Sequence, residues 1–474
     1  MRFRASVLLS CAFVLLPGSV GHTAEPEATA PIDLGSRREL FLDDHLIDRM
    51  AGTSLRMHSP ALATGPGWAQ EHYSTVLKEP TRFLMYTRRY RDSKVDWNTH
   101  GWDTARRNEL TTLLTSSDGI RWEEPNFGLH DAREFPAGNV IIANEPLAVH
   151  NFTPFIDARP GCDAESRFKA IGGMHYQPQF KKFSSEFGPG GLYAFGSPDG
   201  IRWSRLQQEA VIPEEWGTFD SQNVAFWSTT EKRYVCYFRT FVKGFRSISS
   251  TTSEDFLHWT APEPVTANLP HEHLYTSGAA PYFRAPHMTI ALPTRFQSNR
   301  ASTTDIMLMS SRTRNRFDRT FKEAFIRPGL GGSGWGNRSN YAALNIVPTS
   351  DSEISIYLAG NRRFTLRYDG FASLHAGYDE GQMVTKPLIF DGRGLDLNYS
   401  TSAAGRIRIE LQDSAGVPIP GFELARSKTL IGDKIAGTAA WENKSADDLK
   451  LLAGKPIRMR FVMDDSDVFS FRFF

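Results

Sequence analysis

A short turn sequence that closes on tryptophan recurs along this chain at intervals of tens of residues. Its copies are Ser117-Asp118-Gly119-Ile120-Arg121-Trp122, Ser197-Pro198-Asp199-Gly200-Ile201-Arg202-Trp203 and Ser253-Glu254-Asp255-Phe256-Leu257-His258-Trp259, with a degenerate fourth copy from Ser310 to Phe317. Asp-Gly between two apolar runs favours a tight hairpin, because glycine takes a positive φ without steric cost. We expect each tryptophan to cover its turn and to pack between neighbouring sheets. Sheet units repeated at this spacing predict a propeller or a solenoid.

Five similar units can be recognised around these hairpins, each opening with a pair of strand-like runs. The opening runs lie at residues 72–77, 151–157, 222–227, 280–283 and 340–344, and returning runs lie at 83–87, 234–238, 288–292 and 354–358. Four strands in each of five units predict a five-bladed β-propeller over residues 71–375.

The sequence pattern changes after the fifth unit. Residues 395–399, 406–411 and 457–462 alternate apolar and polar side chains between Gly, Pro and Asp turns, which predicts a C-terminal antiparallel β-sandwich at 376–474. Residues 25–70 contain the strand-like run from Arg38 to Ile47 and are predicted to dock on the propeller. The whole chain is therefore predicted to be all-β with two domains, as expected for 474 residues.

The first 24 residues have the features of a secretory signal peptide. A basic start, Met1 to Arg4, precedes a short apolar run from Ala5 to Leu16, too short to span a bilayer. We therefore predict a secreted or periplasmic protein without a membrane span. The remaining cysteines, Cys162 and Cys236, show no metal-ligand spacing, and neither a metal nor a cofactor is predicted.

The overall charge of the chain is balanced, with 54 Lys and Arg residues against 53 Asp and Glu residues. Such a chain has no global field to attract nucleic acid, so no nucleic-acid partner is predicted. A charged ligand would therefore have to be bound by a local cluster of charged residues.

Function is predicted at the funnel of the propeller, where the residues ahead of each innermost strand converge. Cleavage of a glycosidic bond needs two carboxyl groups, one acting as acid and one as base or nucleophile. Asp220 and Glu272 are the predicted pair, with Glu71 as a third carboxylate. The predicted substrate-binding residues combine amides, aromatic rings, an imidazole and a guanidinium: His150, Asn151, Gln222, Tyr275, Trp335, Arg338 and Asn340.

Other polar residues are expected to have different roles. Asp118, Asp199, Asp255 and Asp157 are interpreted as turn formers, and the histidines near residue 271 as unsuited to zinc. The planar guanidinium groups of Arg284, Arg295 and Arg338 are suited to recognise a carboxylate or a sulfate, although surface ion pairs are the commoner use.

The hairpins and the predicted architecture resemble the five-bladed propeller glycosidases of glycoside hydrolase families 32 and 43, over roughly Glu71 to Phe474. The resemblance implies a C-terminal β-sandwich, as in family 32, and a carboxylate trio that falls by position on Glu71, Asp220 and Glu272. The chain lacks the Trp-Met-Asn-Asp-Pro-Asn, Arg-Asp-Pro and Glu-Cys motifs, so fructan or sucrose is not supported as the substrate. The run from Glu39 to Asp44 also resembles the start of a group of secreted bacterial proteins, which implies an unassigned branch.

Three functions follow from this interpretation. The first is a secreted glycoside hydrolase that acts on a glycan terminus, with an oligo- or polysaccharide substrate. The second is a non-catalytic glycan-binding propeller, and the third is a polysaccharide lyase in which His150, Tyr275 and Arg338 supply the base and the positive group.

The hairpins also resemble sialidase Asp-boxes, but one spacer residue is missing and five blades are counted where a sialidase has six.

Overall fold

The computed structural model describes residues 30–63, 73–92, 108–132, 135–143, 145, 150–175, 188–331, 333–336 and 338–474. Glu71 and the predicted signal peptide lie outside these residues. The described part is almost entirely β, which confirms the all-β prediction. Its helical segments are the short α-helix α1 (Ala446–Lys450) and 3-10 turns at Ala164–Ser166, Glu214–Trp216, Ser333–Trp335 and Leu424–Arg426. None of the helices in these ranges is long and apolar enough to cross a bilayer.

Five short strands precede the repeated units. They are β1 (Ile32–Gly35), β2 (Arg38–Leu40), β3 (Ile47–Ala51), β4 (Thr53–Met57) and β5 (Ala61–Ala63).

The repeated units form antiparallel sheets, which we number in chain order. Sheet 1 contains β6 (Thr75–Lys78), β7 (Phe83–Tyr90), β8 (Glu109–Ser116) and β9 (Val140–Ile142). Sheet 2 contains β10 (Thr153–Ile156), β11 (Phe168–Met174), β12 (Gly191–Ser197), β13 (Ser204–Arg205) and β14 (Ile212–Pro213). Sheet 3 contains β15 (Val224–Ser228), β16 (Arg233–Val242), β17 (Phe245–Ser253) and β18 (Glu263–Pro264).

Sheet 4 is interleaved in sequence with a small three-stranded sheet. The strands in this region are β19 (His273–Leu274), β20 (Ala279–Tyr282), β21 (Ala285–Ala291), β22 (Thr294–Gln297), β23 (Thr303–Ile306), β24 (Met309–Thr313) and β25 (Arg316–Asp318). Strands β20, β21, β24 and β25 form sheet 4, and β19, β22 and β23 form the small sheet. Sheet 5 contains β26 (Val347–Pro348), β27 (Glu353–Leu358) and β28 (Arg362–Arg367), and its fourth strand is the N-terminal β5.

Apolar clusters join each sheet to the next in chain order. Separate clusters link sheets 1 and 2, 2 and 3, 3 and 4, and 4 and 5. A further cluster links sheet 5 back to sheet 1, with Val347 and Tyr357 packed against Val76 and Phe83. Thr75 of β6 also forms a parallel bridge with Leu344, which lies just before β26. The order of these contacts is therefore cyclic.

The recurrent hairpin has the predicted turn chemistry. In sheet 1, the Ser116 hydroxyl accepts hydrogen bonds from the N–H groups of Asp118 and Gly119. The Asp118 carboxylate accepts hydrogen bonds from the N–H groups of Ile120 and Arg121, both at 2.8 Å. The same bonds recur around Asp199 and Asp255. Asp118, Asp199 and Asp255 are thus confirmed as turn residues.

The turns also receive contacts from neighbouring sheets. The Tyr86 hydroxyl of sheet 1 donates to the Gly200 carbonyl of sheet 2 at 2.8 Å, and the indole of Trp203 lies 6.2 Å from the Tyr86 ring. Tyr357 of sheet 5 donates to the Gly119 carbonyl of sheet 1 at 2.5 Å. Trp122 packs edge-on to Tyr357. Tryptophan packing between sheets is therefore confirmed at these two hairpins.

Gly200→Ala is expected to destabilise the protein by at least about 1 kcal/mol, because the residue has φ +75°. The added Cβ would also lie 2.7 Å from the Tyr86 hydroxyl oxygen. The matched control is Gly161→Ala, which has φ +73° but no atom within 4 Å of the new Cβ. Urea unfolding of both variants separates backbone strain from the clash. Equal losses in the two variants would contradict tight packing of Tyr86 on this turn.

The C-terminal residues form one large connected sheet together with β1 to β4. Its other strands are β29 (Ala372–Ala376), β30 (Gly381–Thr385), β31 (Leu388–Phe390), β32 (Leu395–Asp413), β33 (Asp433–Thr438) and β34 (Ile457–Phe473). The runs 395–399 and 406–411, predicted as separate strands, belong to the single strand β32, whose register against β34 shifts between Thr401 and Arg406. The apolar core of this C-terminal region includes Phe41, Tyr399, Trp441 and Phe461. The domain boundaries at residues 71 and 376, where the propeller and the sandwich are predicted to begin, remain predictions.

A buried ion-pair network holds β2 against sheet 4. Arg312 donates to the Glu39 carboxylate at 2.7 Å, and the Nε2 atom of His287 lies 3.0 Å from its other oxygen. Burial alone would raise the pKa of Glu39, but the hydrogen bond to His287 and the charge of Arg312 outweigh it and lower that pKa from 4.5 to about 2.

This lowered pKa predicts how stability changes in acid. The stabilisation by ionised Glu39 is fully present above about pH 4.5 and is lost as the pH falls towards 2, because the unfolded carboxyl takes up its proton first. Glu39→Gln is therefore expected to be less stable than wild type at pH 7, with the difference shrinking below pH 4.5. Thermal unfolding across this range checks it, with exposed Glu254→Gln as the control. A difference that does not depend on pH would contradict the prediction.

Candidate functional site

The first strands of the five sheets surround a common cavity. The cavity has a volume of about 300 Å³ and is lined by residues of β6, β10, β15, β20 and β26 and by residues next to these strands. The lining is mainly apolar and includes Leu77, Phe155, Trp227, Phe283 and Val347. This end of the five strands offers few groups for chemistry.

Polar residues collect at the opposite end, just ahead of the same strands. They include Tyr73 before β6, His150 before β10 and Asp220 before β15. A strand of four residues spans roughly 13 Å, which separates the two ends. We take the polar end as the candidate site because it contains the titratable side chains.

A chain of hydrogen bonds joins two carboxylates through one imidazole. The Nδ1 atom of His150 lies 3.1 Å from Glu109, and its Nε2 atom lies 3.1 Å from Asp220. The side chains of Glu109 and His150 are 0% exposed, whereas that of Asp220 is 45% exposed. The buried Glu109–His150 pair therefore orients the Asp220 carboxylate.

Arg88 supports the buried end of this chain. Its guanidinium lies 3.8 Å from Glu109, donates to the Asn151 side-chain oxygen at 3.1 Å and stacks on Tyr73. Burial alone would lower the pKa of Arg88, but the nearby Tyr90 and Glu109 raise it above its usual value. Arg88 is therefore a permanent cation beneath the site.

Arg239 borders the exposed end of the chain. Its Nη2 atom lies 3.8 Å from Asp220, and its side chain is only 5% exposed. The Nε and Nη1 atoms of Arg239 are buried and have no hydrogen-bond partner. Unpaired buried donors are costly, so this guanidinium is short of acceptors.

Three tyrosines form an aromatic floor. Tyr341 meets Tyr73 and Tyr275 edge-to-face, with ring centroids 5.3 and 5.6 Å away. Phe296 extends the cluster on the far side of Tyr275. Burial raises the pKa of Tyr73 and of Tyr341 well above the usual value, so both stay protonated as phenols.

Guanidinium groups surround the ring of Tyr275. Those of Arg239, Arg246 and Arg338 lie 5.1, 4.9 and 5.9 Å from the ring centroid. Burial, together with the like charges of Arg239 and Arg338, lowers the pKa of Arg246 despite the opposing effect of Tyr275.

The backbone is strained at several of these positions. Tyr73, Asn151 and Arg338 have φ values of 64°, 56° and 54°, which side chains larger than glycine adopt at a cost. Such residues concentrate where a site needs a particular side-chain direction.

Glu272 lies in a different environment from Asp220. Its carboxylate is buried and accepts two bonds from Arg319, at 2.7 and 3.0 Å, and one from the Leu269 N–H. A bidentate ion pair of this kind favours a structural role. The catalytic role of Glu272 stays a prediction, and that of Glu71 concerns a residue outside the described ranges.

The predicted substrate-binding residues divide into two groups. The amides of Asn151, Gln222 and Asn340 are buried and donate to main-chain carbonyls, which occupies them within the fold. His150, Tyr275 and Arg338 belong to the polar cluster, and Trp335 is exposed. Their binding roles remain predictions.

The remaining polar residues named from the sequence lie elsewhere. Asp157 accepts from the Arg159 N–H in its turn, as predicted, and is also bonded to Tyr234 and Lys169. Arg284 pairs with Asp369, and Arg295 with Asp305. In the described ranges, no three His, Cys, Asp or Glu side chains converge as a metal site would require.

Several residues of the site were missed in the sequence. Arg88, Glu109, Arg239 and Arg246 lie on second and third strands, whereas only positions ahead of first strands had been considered. A charged residue at the end of an apolar strand run, such as Arg239 after Phe238, was the available signal.

No protein-family model and no curated protein sequence matches the chain. Among solved structures it is similar to a glycoside hydrolase family 43 arabinoxylan arabinofuranohydrolase from Bacillus subtilis, with 11% identity and a TM-score of 0.40 over 85% of this chain and 96% of that one. It is also similar to the GH32 β-fructofuranosidase of Bombyx mori, with 11% identity and a TM-score of 0.41 over 89% of this chain and 94% of that one.

A third similar structure is a β-1,2-mannobiose phosphorylase from Listeria innocua, with 10% identity and a TM-score of 0.42 over 66% of this chain and 97% of that one. Glycoside hydrolases of families 43 and 32, the group named from the hairpins, are thus among the similar structures. Function has to be argued from the side chains of the site.

Proposed function

We propose that this protein is an exported glycoside hydrolase that acts on a glycan terminus, with Asp220 as the carboxylate at the reacting centre. The observation that carries the proposal is the Glu109–His150–Asp220 chain, which ends in the one exposed carboxylate of the described cluster. His150 and the Arg239 guanidinium, 3.8 Å away, hold Asp220 in position.

The proposed architecture is a closed five-bladed β-propeller followed by a C-terminal β-sandwich. Closure is supported by β5 in sheet 5, by the bond from Tyr357 to the first hairpin and by the apolar cluster between sheets 5 and 1. The sandwich is supported by the long strands β32 and β34, whose side chains belong to one apolar core. In this architecture the polar cluster lies at the mouth of the central channel.

The proposed chemistry assigns Asp220 the role of base or nucleophile. A carboxylate that faces an imidazole and a guanidinium is held in a fixed position, as either role requires. Hydrolysis also needs an acid. Glu272 is engaged by Arg319, so the predicted carboxylate Glu71 is the better choice for that group.

A polysaccharide lyase is the second proposal, because three guanidinium groups surround the Tyr275 phenol. Such a lyase needs a base near the α-carbon of a uronate and a cation to neutralise its carboxylate. Tyr275 would supply the base and Arg338 the cation. The ring nitrogens of His150, the third residue named for a lyase from the sequence, both contact carboxylates, so His150 would position the site.

Product analysis on a panel of neutral and acidic glycans tests the two proposals. New reducing ends without ultraviolet absorbance indicate hydrolysis, and an ultraviolet-absorbing unsaturated product indicates a lyase. The anomer released first, followed by NMR, distinguishes inversion from retention. Binding without any product would contradict both enzymes and leave a non-catalytic glycan-binding propeller.

A further inference from the structure

Arg239 and Arg246 are neighbours on adjacent strands of sheet 3. Arg239 lies opposite Ile248 in the register of β16 and β17, and Arg246 lies two residues from Ile248. Residues two apart on a strand share a face, so the two arginines form a diagonal pair on one face. Two cations in this relation repel each other, which is unfavourable unless something compensates.

Arg338 adds a third cation to the same place. Arg246 and Arg338 both contact the ring of Phe296, at 4.9 and 5.7 Å, and both contact Tyr275. An aromatic ring attracts a cation through its quadrupole but carries no net charge. The stacking therefore leaves the positive charge in place.

Few anionic groups are available to this cluster. Asp220 is 3.8 Å from Arg239, and within the described ranges the side chains of Arg246 and Arg338 have neither a hydrogen-bond acceptor nor an ion-pair partner. The Nε and Nη1 atoms of Arg239 and the Nε atom of Arg246 are buried without acceptors. The cluster thus combines excess positive charge with unused donors beside an exposed carboxylate.

We infer that Arg239, Arg246 and Arg338 form a subsite for an anionic group of the substrate, a carboxylate or a sulfate ester. This inference deepens the proposed function, on which it rests, by naming an acidic glycan as the substrate class. Guanidinium groups match the planar carboxylate and the oxygens of sulfate, and they bind both with charge-assisted hydrogen bonds. Because the cluster borders Asp220, the anionic group belongs to the sugar at or next to the reacting centre.

The test measures binding of three monosaccharides to the full chain by titration calorimetry: glucuronate, glucose 6-sulfate and glucose. We expect one of the two anionic sugars to bind at least about tenfold more tightly than glucose, with the preference weakening as salt is raised. Preference for glucuronate identifies a carboxylate subsite, and preference for glucose 6-sulfate identifies a sulfate subsite.

Variants connect this preference to the cluster. Arg246→Met and Arg338→Met are each expected to lower the affinity for the anionic sugar about tenfold, and Arg246→Lys is expected to retain part of it. Arg338 is exposed, so its replacement leaves the core intact. The control is Arg49→Met on β3, whose side chain is 64% exposed and outside the cluster.

Two results would overturn the inference. One is equal affinity for all three sugars, or no binding of either anionic sugar, and the other is an anion preference unchanged in both methionine variants. A monosaccharide has no glycosidic bond, so this binding does not depend on turnover. Hydrolysis of neutral glycans without anion binding would remove the inference alone, whereas arginine-dependent anion binding without cleavage of any glycan would remove the proposed hydrolase alone.

Discussion

Asp220→Asn is expected to lower the turnover of the glycan substrate by about 10²- to 10⁴-fold while leaving substrate affinity within a few fold. An amide keeps the size of the carboxylate but neither removes a proton nor attacks a sugar carbon at a useful rate. Its oxygen still faces the Nε2 atom of His150, so the local structure is retained. The measurement is kcat from product formation together with Kd from calorimetry.

The control for this variant is Asp379→Asn, because Asp379 is exposed in a turn of the C-terminal region. We expect the control to retain full turnover. Unchanged turnover in Asp220→Asn would disprove the assignment of the reacting carboxylate. A loss of affinity at constant turnover would instead place Asp220 among the residues that only bind the sugar.

Glu272→Ala is expected to destabilise the fold by about 3–5 kcal/mol, because it leaves the buried guanidinium of Arg319 without its carboxylate. Arg319 is 9% exposed and also donates to the Ala267 carbonyl, so it cannot move easily into water. Urea unfolding at neutral pH measures this loss. The exposed residue Glu254 provides the control, and Glu254→Ala is expected to change stability by no more than about 0.5 kcal/mol.

A double variant distinguishes the ion pair from a catalytic role. Replacing both partners with apolar residues, as in Glu272→Leu with Arg319→Met, is expected to recover much of the lost stability, since no charge is then buried alone. The folded fraction of Glu272→Ala should retain its turnover per molecule. Normal stability combined with loss of turnover would establish Glu272 as catalytic and contradict the structural role.

The turns were predictable because their chemistry is local. Ser116, Asp118 and Gly119 satisfy one another within four residues, and the same residue types at the same spacing produce the same bonds near Asp199. Phe256 was harder to judge, because it occupies the glycine position with φ 75°. Its burial in the cluster between sheets 2 and 3 offsets that backbone strain.

The candidate site was less predictable because its residues come from distant segments. Asp220 and His150 were identified by their position ahead of first strands, but Glu109 lies 41 residues before His150 and on a third strand. The alternation of apolar and polar residues along a strand indicates which face of the sheet a residue lies on, but not which residues of neighbouring sheets it contacts. The ion pair of Glu272 was unpredictable for the same reason, since its partner Arg319 lies 47 residues away in the sequence.

Sheet 5 combines β5, which precedes the repeated units, with strands of the last unit, and this sets the timing of its pairing during synthesis. Strand β5 is synthesised about 300 residues before its partner β28, a wait on the order of 15–60 s at about 5–20 residues per second. Strands β1 to β4 wait longer still, because their partners extend to β34. The N-terminal segment of the nascent chain therefore lacks its native strand partners for most of translation.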